Sequence, residues 1–104
     1  MIPPGEIVDA VCGYFGVTPR NLRGPARTRS CSEPRKVAAY LIREHTVLSY
    51  QEIVALFGRT DHTTAIYWVR YCQEEVDRGS PYMISAIKRI KADLSRRGKA
   101  TVSA

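Results

Sequence analysis

The chain has 104 residues, of which 44% are apolar and 25% are charged, and its formal net charge is +6. This length allows one domain with a modest core and is too short for a core plus a separate catalytic lobe. No apolar run approaches the roughly 20 residues of a membrane span, and the amino terminus lacks the regions of a signal peptide, so we expect a cytoplasmic protein.

Three cysteines, Cys12, Cys31 and Cys72, are scattered along the chain. Their number is odd and no pair has the C-x-x-C spacing, which argues against a disulfide framework and against a structural zinc site. Cys12 and Cys72 fall within apolar patterns, so we expect buried, reduced thiols. We expect neither a metal nor a cofactor.

The amino-terminal residues predict a first helix. Pro3 and Pro4 suit a helix start, because a proline in the first turn loses no hydrogen bond that the helix needs. Apolar residues then recur at helical spacing from Ile7 to Phe15. Gly16 is suited to end this helix in the left-handed conformation.

The stretch TPRNLR predicts a short second helix that buries Leu22. The next stretch, RGPARTRSCSEP, is rich in glycine, proline and serine and predicts a loop that carries arginines. Ser32 then has the features of a helix cap, with Pro34 in the first turn of a third helix. This helix is expected to end near His45 or Thr46.

The carboxyl-terminal half predicts three further helices. The stretch SYQE has the form of a capping box and begins a short amphipathic helix that Gly58 ends. A polar run follows, and an apolar stripe then continues to about Asp77. Pro81 begins a last helix, whose apolar stripe reaches Leu94.

No stretch of the chain alternates apolar and polar residues with period two. We therefore predict an all-α fold, a helical bundle of five or six helices. The bundle is expected to form a single domain over residues 1–97, followed by a polar, flexible tail over residues 98–104.

The positive charge is concentrated in two blocks. Residues 19–36 hold six basic residues and one acidic residue, as do residues 79–104, so each block carries +5. This distribution indicates an anionic partner, with nucleic acid as the first candidate and an anionic membrane surface as the second. A basic surface without a partner is the alternative that charge alone leaves open.

The polar run GRTDHTT lies where the fifth predicted helix begins. A short capped helix, a glycine turn and a longer helix form a helix-turn-helix, whose second helix enters the DNA major groove with its first residues against base edges. Asp61 can accept from cytosine, His62 can donate, and Thr63 and Thr64 each offer a hydroxyl and a methyl group. A local role stays open, with Asp61 as the helix cap and a threonine bonded nearby.

Several motifs of this region resemble one known family. The stretch SEPRKVAAYLIREHTVLSYQEIVALFGRTDHTTAIYWVR contains, in order, PR at a helix start, Y-L-x-R-E, S-x-x-E-I-x-x-x-F-G and DHTT. With the R-x-R loop before them, these motifs resemble the C-terminal DNA-binding domain (domain IV) of DnaA, the bacterial chromosomal replication initiator. The resemblance covers residues 7–94 and implies a Trp repressor-like helical bundle.

The resemblance implies a mode of DNA binding. In the family, the DHTT helix reads an AT-rich box of about nine base pairs of double-stranded DNA in the major groove. An arginine of the basic loop enters the adjacent minor groove, where AT-rich sequence strengthens the negative potential. Carried over by motif, the major-groove residues are Asp61, His62, Thr63 and Thr64. The minor-groove arginine is Arg27, with Arg29 nearby. The positions implied to contact phosphates are Arg35, Lys36, Ser49, Gln51, Arg59 and Thr60.

The sequence departs from the family pattern next to these motifs. The family usually has Gly-Gly-Arg before DHTT, whereas this chain has Gly58, Arg59 and Thr60. Pro25 and Ala26 stand in the basic loop where relatives often carry Lys or Arg. These changes leave open whether this chain prefers the family's box.

No stretch resembles the nucleotide-binding motif G-x-x-x-x-G-K-[ST]. The chain begins with Met1 shortly before the first helix, and its last residues do not resemble the family. We therefore expect a free-standing domain, of a bacterium or a phage, rather than a fragment of a longer initiator. Its expected role is regulation of replication or transcription at the nucleoid, without ATPase activity.

Two other classes of function are weighed against DNA binding. An adaptor could keep the fold and bind an acidic protein, a reading that exposed Tyr67 or Tyr71 would favour, whereas we expect Trp68 in the core. An enzyme acting on nucleic acid is disfavoured, because the chain has two histidines and no Ser/His or Cys/His arrangement with a third member.

Overall fold

A computed structural model describes residues 2–24 and 29–103 of the protein, and for residues 29–30 and 98–103 it describes the backbone alone. Within this part of the chain there are six helices and no strand, which confirms the all-α prediction. The helices are α1 (Pro4–Phe15), α2 (Pro19–Arg23), α3 (Arg29–His45), α4 (Tyr50–Leu56), α5 (His62–Asp77) and α6 (Pro81–Ser103).

Helix α3 lies at the centre of the bundle, where it packs against α1, α2, α4 and α5. Helix α6 packs against α1 and α5. All six helices contribute apolar side chains to one core. Its members include one residue from each helix in turn: Ile7, Leu22, Leu41, Ile53, Trp68 and Met83. Because burying a large apolar side chain contributes roughly 1.5–3 kcal/mol, this packing stabilises the short helices more than their intrinsic propensity does.

Local signals in the sequence set several helix ends. Helix α1 ends at Gly16, which has a φ of 71°. Thr18 caps α2 in a reciprocal box with Asn21, and Ser49 caps α4 in the same way with Glu52. Each box satisfies backbone N–H groups that a helix start leaves without partners inside the helix.

Two helices extend beyond their predicted limits. Helix α3 begins at Arg29, so the predicted cap at Ser32 is wrong and Pro34 lies inside the helix. Because proline has no amide N–H, one intrahelical hydrogen bond is missing there. Helix α6 continues to Ser103, through most of the segment predicted as a tail. Four of the nine residues from 95 to 103 are Arg, Lys or Ala, which favour a helix, whereas Gly98 does not.

The expectation of buried, reduced thiols is confirmed. Cys12, Cys31 and Cys72 are all buried and free. Burial raises the pKa of Cys12 to about 11 and the pKa of Cys72 to about 12. These two thiols therefore stay protonated at neutral pH and are poor nucleophiles.

The turn between α4 and α5 packs closely against the end of α2. Gly58 in this turn has a φ of 73°, and a Cβ added to it would lie 2.9 Å from the carbonyl oxygen of Arg23. Gly79, between α5 and α6, has a similar φ of 80°, but no atom lies within 4 Å of such a Cβ. The two glycines therefore have the same backbone conformation, but only Gly58 lies close to the backbone of another helix.

We expect Gly58→Ala to lower the free energy of unfolding by about 2 kcal/mol and Gly79→Ala by about 1 kcal/mol. Both alanines meet the strain of the left-handed conformation, but only the first also meets the carbonyl oxygen of Arg23. Urea unfolding of the two variants beside the wild type measures the difference. Equal losses of unfolding free energy in the two variants would contradict close packing of this turn against the end of α2.

Candidate nucleic-acid interface

Helices α4 and α5 form a helix-turn-helix. Two hydrogen bonds tie the turn back to the first helix of this motif. The side-chain Nε2 of Gln51 donates to the carbonyl oxygen of Thr60 at 2.8 Å, and the backbone N–H of Arg59 donates to the carbonyl oxygen of Val54 at 3.1 Å. Two hydrogen bonds thus hold the turn against α4, immediately before α5 begins.

The two helices of the motif also share an aromatic contact. The rings of Phe57 and Trp68 pack edge to face, with their centroids 5.5 Å apart and their planes at 89°. Phe57 is 1% exposed and Trp68 is 6% exposed. The prediction that Trp68 belongs to the core is therefore confirmed. Such a pair contributes about 0.5–1.5 kcal/mol beyond the burial of its area.

The DHTT segment (residues 61–64) lies at the start of α5. Asp61 caps the helix, since its Oδ1 accepts from the backbone N–H of Thr63 at 3.0 Å and from the Thr63 hydroxyl at 2.7 Å. These bonds lower the pKa of Asp61, so its carboxylate stays ionised. His62 and Thr63 are exposed, and Thr64 is half-buried. The local role that the sequence left open for Asp61 is present, and the segment still faces solvent.

The side chain of Arg35 lies inside the protein, with 3% of the residue exposed. Its Nε donates to the carbonyl oxygen of Leu22 at 2.7 Å, and its Nη2 donates to those of Asn21 at 3.1 Å and Gly24 at 2.8 Å. Burial, followed by the charge of Arg59, lowers the pKa of Arg35. In this arrangement backbone carbonyls occupy Nε and Nη2 of Arg35, and the phosphate contact that the resemblance implies stays a prediction.

Arg59 also turns towards the protein. Its Nη1 donates to the carbonyl oxygen of Phe57 at 2.5 Å and, more weakly, to that of Leu22 at 3.5 Å. Its guanidinium carbon lies 5.9 Å from the centroid of the Trp68 ring. Arg35 and Arg59 thus share the carbonyl oxygen of Leu22. A contact of Arg59 with phosphate requires the side chain to leave these partners.

Lys36 lies over two tyrosines of α5. Its Nζ is 4.2 Å from the centroid of the Tyr71 ring and 5.5 Å from that of Tyr67. Tyr67 is 58% exposed, whereas Tyr71 is half-buried and its hydroxyl donates to Glu33 Oε1 at 3.0 Å. A positive charge and an exposed aromatic ring therefore lie together beside the second helix of the motif.

The remaining predicted residues divide between the surface of the motif and the basic loop. Ser49, Gln51 and Thr60 are exposed, at the start of α4 and in the turn. Arg27 lies outside the described residues. Arg29 is the first residue of α3, and its backbone alone is described.

The structure adds two features that the sequence reading missed. One is the internal role of Arg35, and the other is the stacking of Lys36 on the tyrosines of α5. A helical wheel places Tyr67 four residues after Thr63 on one face of α5, so its position near the DHTT segment was readable from the sequence. The partners of Arg35 could not be predicted from the sequence, because its three hydrogen bonds named above go to backbone carbonyls at the end of another helix.

In the part of the chain that the structure describes, no helix combines the length and the apolar character needed to cross a membrane. Among the same residues, no three His, Cys, Asp or Glu side chains lie close enough together to hold a metal ion.

Comparison with known proteins gives consistent matches. A family model described as the bacterial DnaA protein helix-turn-helix matches residues 4–71, from the start of α1 into α5. A chromosomal replication initiator protein DnaA of Thermus thermophilus is 44% identical over 77 residues, which are 72% of this chain and 18% of that protein. The protein DnaA 2 of Chlamydia caviae is 34% identical over 94 residues, which are 90% of this chain and 20% of that protein.

A DnaA of Thermomicrobium roseum is 33% identical over 102 residues, which are 98% of this chain and 22% of that protein. The chain thus spans about a fifth of the length of the curated relatives it matches. The matched region contains both helices of the helix-turn-helix motif.

Proposed function

Because the chain belongs to the family of bacterial DnaA helix-turn-helix domains, we propose that it binds double-stranded DNA sequence-specifically, without enzymatic activity, in the regulation of replication or transcription at the nucleoid. The observation that carries this proposal is the start of α5, where an exposed polar segment begins the second helix of the motif. In helix-turn-helix proteins this segment meets base edges in the major groove.

The hydrogen bonds of the DHTT segment suggest how each side chain would meet a base. The Thr63 hydroxyl donates its hydrogen bond to Asp61, so its oxygen can accept a hydrogen bond from an amino group such as adenine N6. Asp61 keeps a second carboxylate oxygen that can accept from cytosine N4. His62 can donate to a purine N7 or a carbonyl oxygen. Thr64 adds a methyl group and a hydroxyl beside them.

The proposed contacts outside the major groove rest on the family resemblance and on charge. Arg27, with Arg29 nearby, would enter the minor groove at the AT-rich part of a box of about nine base pairs, where the negative potential is strongest. The positions proposed to meet phosphates are Lys36, Ser49, Gln51 and Thr60. Arg59 joins them only by exchanging its internal carbonyl partners for a phosphate oxygen.

Selection from random duplexes tests this proposal without assuming a box. The protein is incubated with a random duplex library, and the bound DNA is amplified and sequenced. We expect enrichment of an AT-rich site related to the family's TTATNCACA box. Recovery of sequences no different from the starting library would contradict sequence-specific binding.

Lys36→Ala is expected to weaken binding to all DNA similarly and to reduce the slope of log K against log salt by roughly one unit, the contribution of one phosphate. The measurement is anisotropy of a labelled duplex over a series of salt concentrations. Lys88→Ala is the matched control, since Lys88 is exposed on α6, outside the helix-turn-helix. If both variants leave the slope unchanged, Lys36 does not contact phosphate.

The exposed ring of Tyr67 favours a second candidate, an adaptor for an acidic protein. A ring that is 58% exposed beside Lys36 offers apolar surface and positive charge together. Aromatic residues of this kind are enriched at protein interfaces. Removal of the DHTT side chains distinguishes the two candidates. Box binding that survives this removal favours the adaptor, and so does a protein that binds no DNA at all.

A further inference from the structure

Arg35 joins α3, which carries it, to the end of α2, and the turn of the helix-turn-helix packs against that same end of α2. From this geometry we infer that Arg35 is a positioning residue for DNA recognition, which sets the place of the DHTT segment without touching DNA. This inference rests on the proposed function, since it concerns how the same site is held.

Several carbonyl groups converge on Arg35 at the end of α2. The last carbonyl groups of a helix lack their usual partners inside the helix, and here those of Asn21, Leu22 and the cap residue Gly24 accept from one side chain. The guanidinium of Arg35 serves Leu22 through Nε, and Asn21 and Gly24 through Nη2. Its planar fork reaches several acceptors in fixed directions, whereas a lysine ammonium is a single point of charge. Arg35→Lys therefore keeps the charge and loses the geometry.

The turn of the helix-turn-helix contacts the same end of α2. A Cβ at Gly58 would lie 2.9 Å from the carbonyl oxygen of Arg23, so the turn rests directly on the end of α2. Arg59 extends Nη1 to Leu22, the same carbonyl that Arg35 binds. The end of α2 thus contacts both Arg35 and the turn.

The turn leads directly into the DHTT segment. Asp61, the first residue of the DHTT segment, follows Arg59 after one residue. Hydrogen bonds weaken steeply when their distance or angle departs from the optimum, so a displaced turn would misalign the side chains that follow it. Loss of the Arg35 geometry should therefore reduce the discrimination between DNA sequences more than the binding to DNA in general.

The test is a double-mutant cycle on sequence preference, with Arg35→Lys and His62→Ala made singly and together. The readout is the ratio of affinities for a duplex with the TTATNCACA box and for its scramble, or for the selected site if selection recovers a different one. We expect His62→Ala to reduce this ratio by about fivefold or more in the wild-type background. In the Arg35→Lys background, the fold reduction caused by His62→Ala should be smaller by a factor of about three or more.

Two further variants keep the inference falsifiable. Arg43→Lys is the matched control, because Arg43 also lies on α3 and donates to a backbone carbonyl, that of Leu48 at 3.0 Å, away from α2. It should leave the effect of His62→Ala unchanged. Gly58→Ala disturbs the contact between the turn and the end of α2 from the side of the turn. It should weaken the effect of His62→Ala as Arg35→Lys does, and it replaces Arg35→Lys in the test if that variant does not fold.

Equal effects of His62→Ala in all backgrounds, on a protein that does prefer one duplex, would overturn this inference alone, even if Arg35→Lys lowers the melting temperature. A wild-type protein that prefers no sequence would instead defeat the proposed function, and the inference with it.

Discussion

Phe57→Ala is expected to lower the free energy of unfolding by about 3–5 kcal/mol, the range for truncation of a buried aromatic side chain. The ring is 1% exposed and packs edge to face on Trp68, between the two helices of the helix-turn-helix. Since small domains are stable by about 5–15 kcal/mol, this change removes a large part of the total. Urea unfolding followed by fluorescence is convenient, because Trp68 is the single tryptophan of the chain.

Leu56→Ala provides the matched control for this prediction. Leu56 is the adjacent residue of α4 and is 38% exposed, so its truncation leaves no comparable cavity. We expect a loss below about 1 kcal/mol, in keeping with exposed positions. Similar losses for the two variants would mean that the packing of Phe57 on Trp68 does not hold the motif together.

His62→Ala and Thr64→Ala are each expected to lose about 1–3 kcal/mol of binding free energy on the preferred site and little on random DNA, and the double variant about 2–6 kcal/mol. The reason is that contacts with base edges exist only on the correct sequence, whereas phosphate contacts exist on any sequence. Anisotropy titrations with the preferred duplex and a scrambled duplex measure both losses for each variant.

Gln73→Ala is the control for the base-reading variants. Gln73 is exposed on the same helix, but its amide donates to Asp77 at 2.9 Å, near the carboxyl-terminal end of α5. It should bind both duplexes as the wild type does. Equal losses on both duplexes for the His62 and Thr64 variants would remove these residues from base recognition.

The predictions that the structure confirms depend on interactions between residues close in sequence. Ser49 and Glu52 are three residues apart, and both bonds of their capping box are present. Gly16 ends α1 in the left-handed conformation, as a helix-ending glycine does. Asp61 caps α5 through a residue two places away. The order of the helices, and with it the helix-turn-helix, follows from such local signals and from apolar periodicity.

The start of α3 and the position of the Arg35 side chain depend on contacts that local patterns do not contain. The capping pattern at Ser32 is genuine, but the helix begins earlier, at Arg29. Arg35 occupies a position at which the family resemblance implies a phosphate contact, yet its guanidinium binds carbonyls that lie 11 to 14 residues away along the chain. Residue type and motif position alone do not show which direction a side chain takes in the folded protein.

Fluorescence anisotropy with two labelled duplexes measures whether the DHTT segment reads a DNA sequence. One duplex carries the TTATNCACA box and the other its scramble, at about 150 mM salt, where unspecific attraction to phosphates is partly screened. We expect clear preference for the box, and loss of that preference in the His62→Ala/Thr64→Ala double variant. Equal binding of both duplexes by the wild type would contradict recognition of this box, and a preference that survives in the double variant would contradict reading by the DHTT segment.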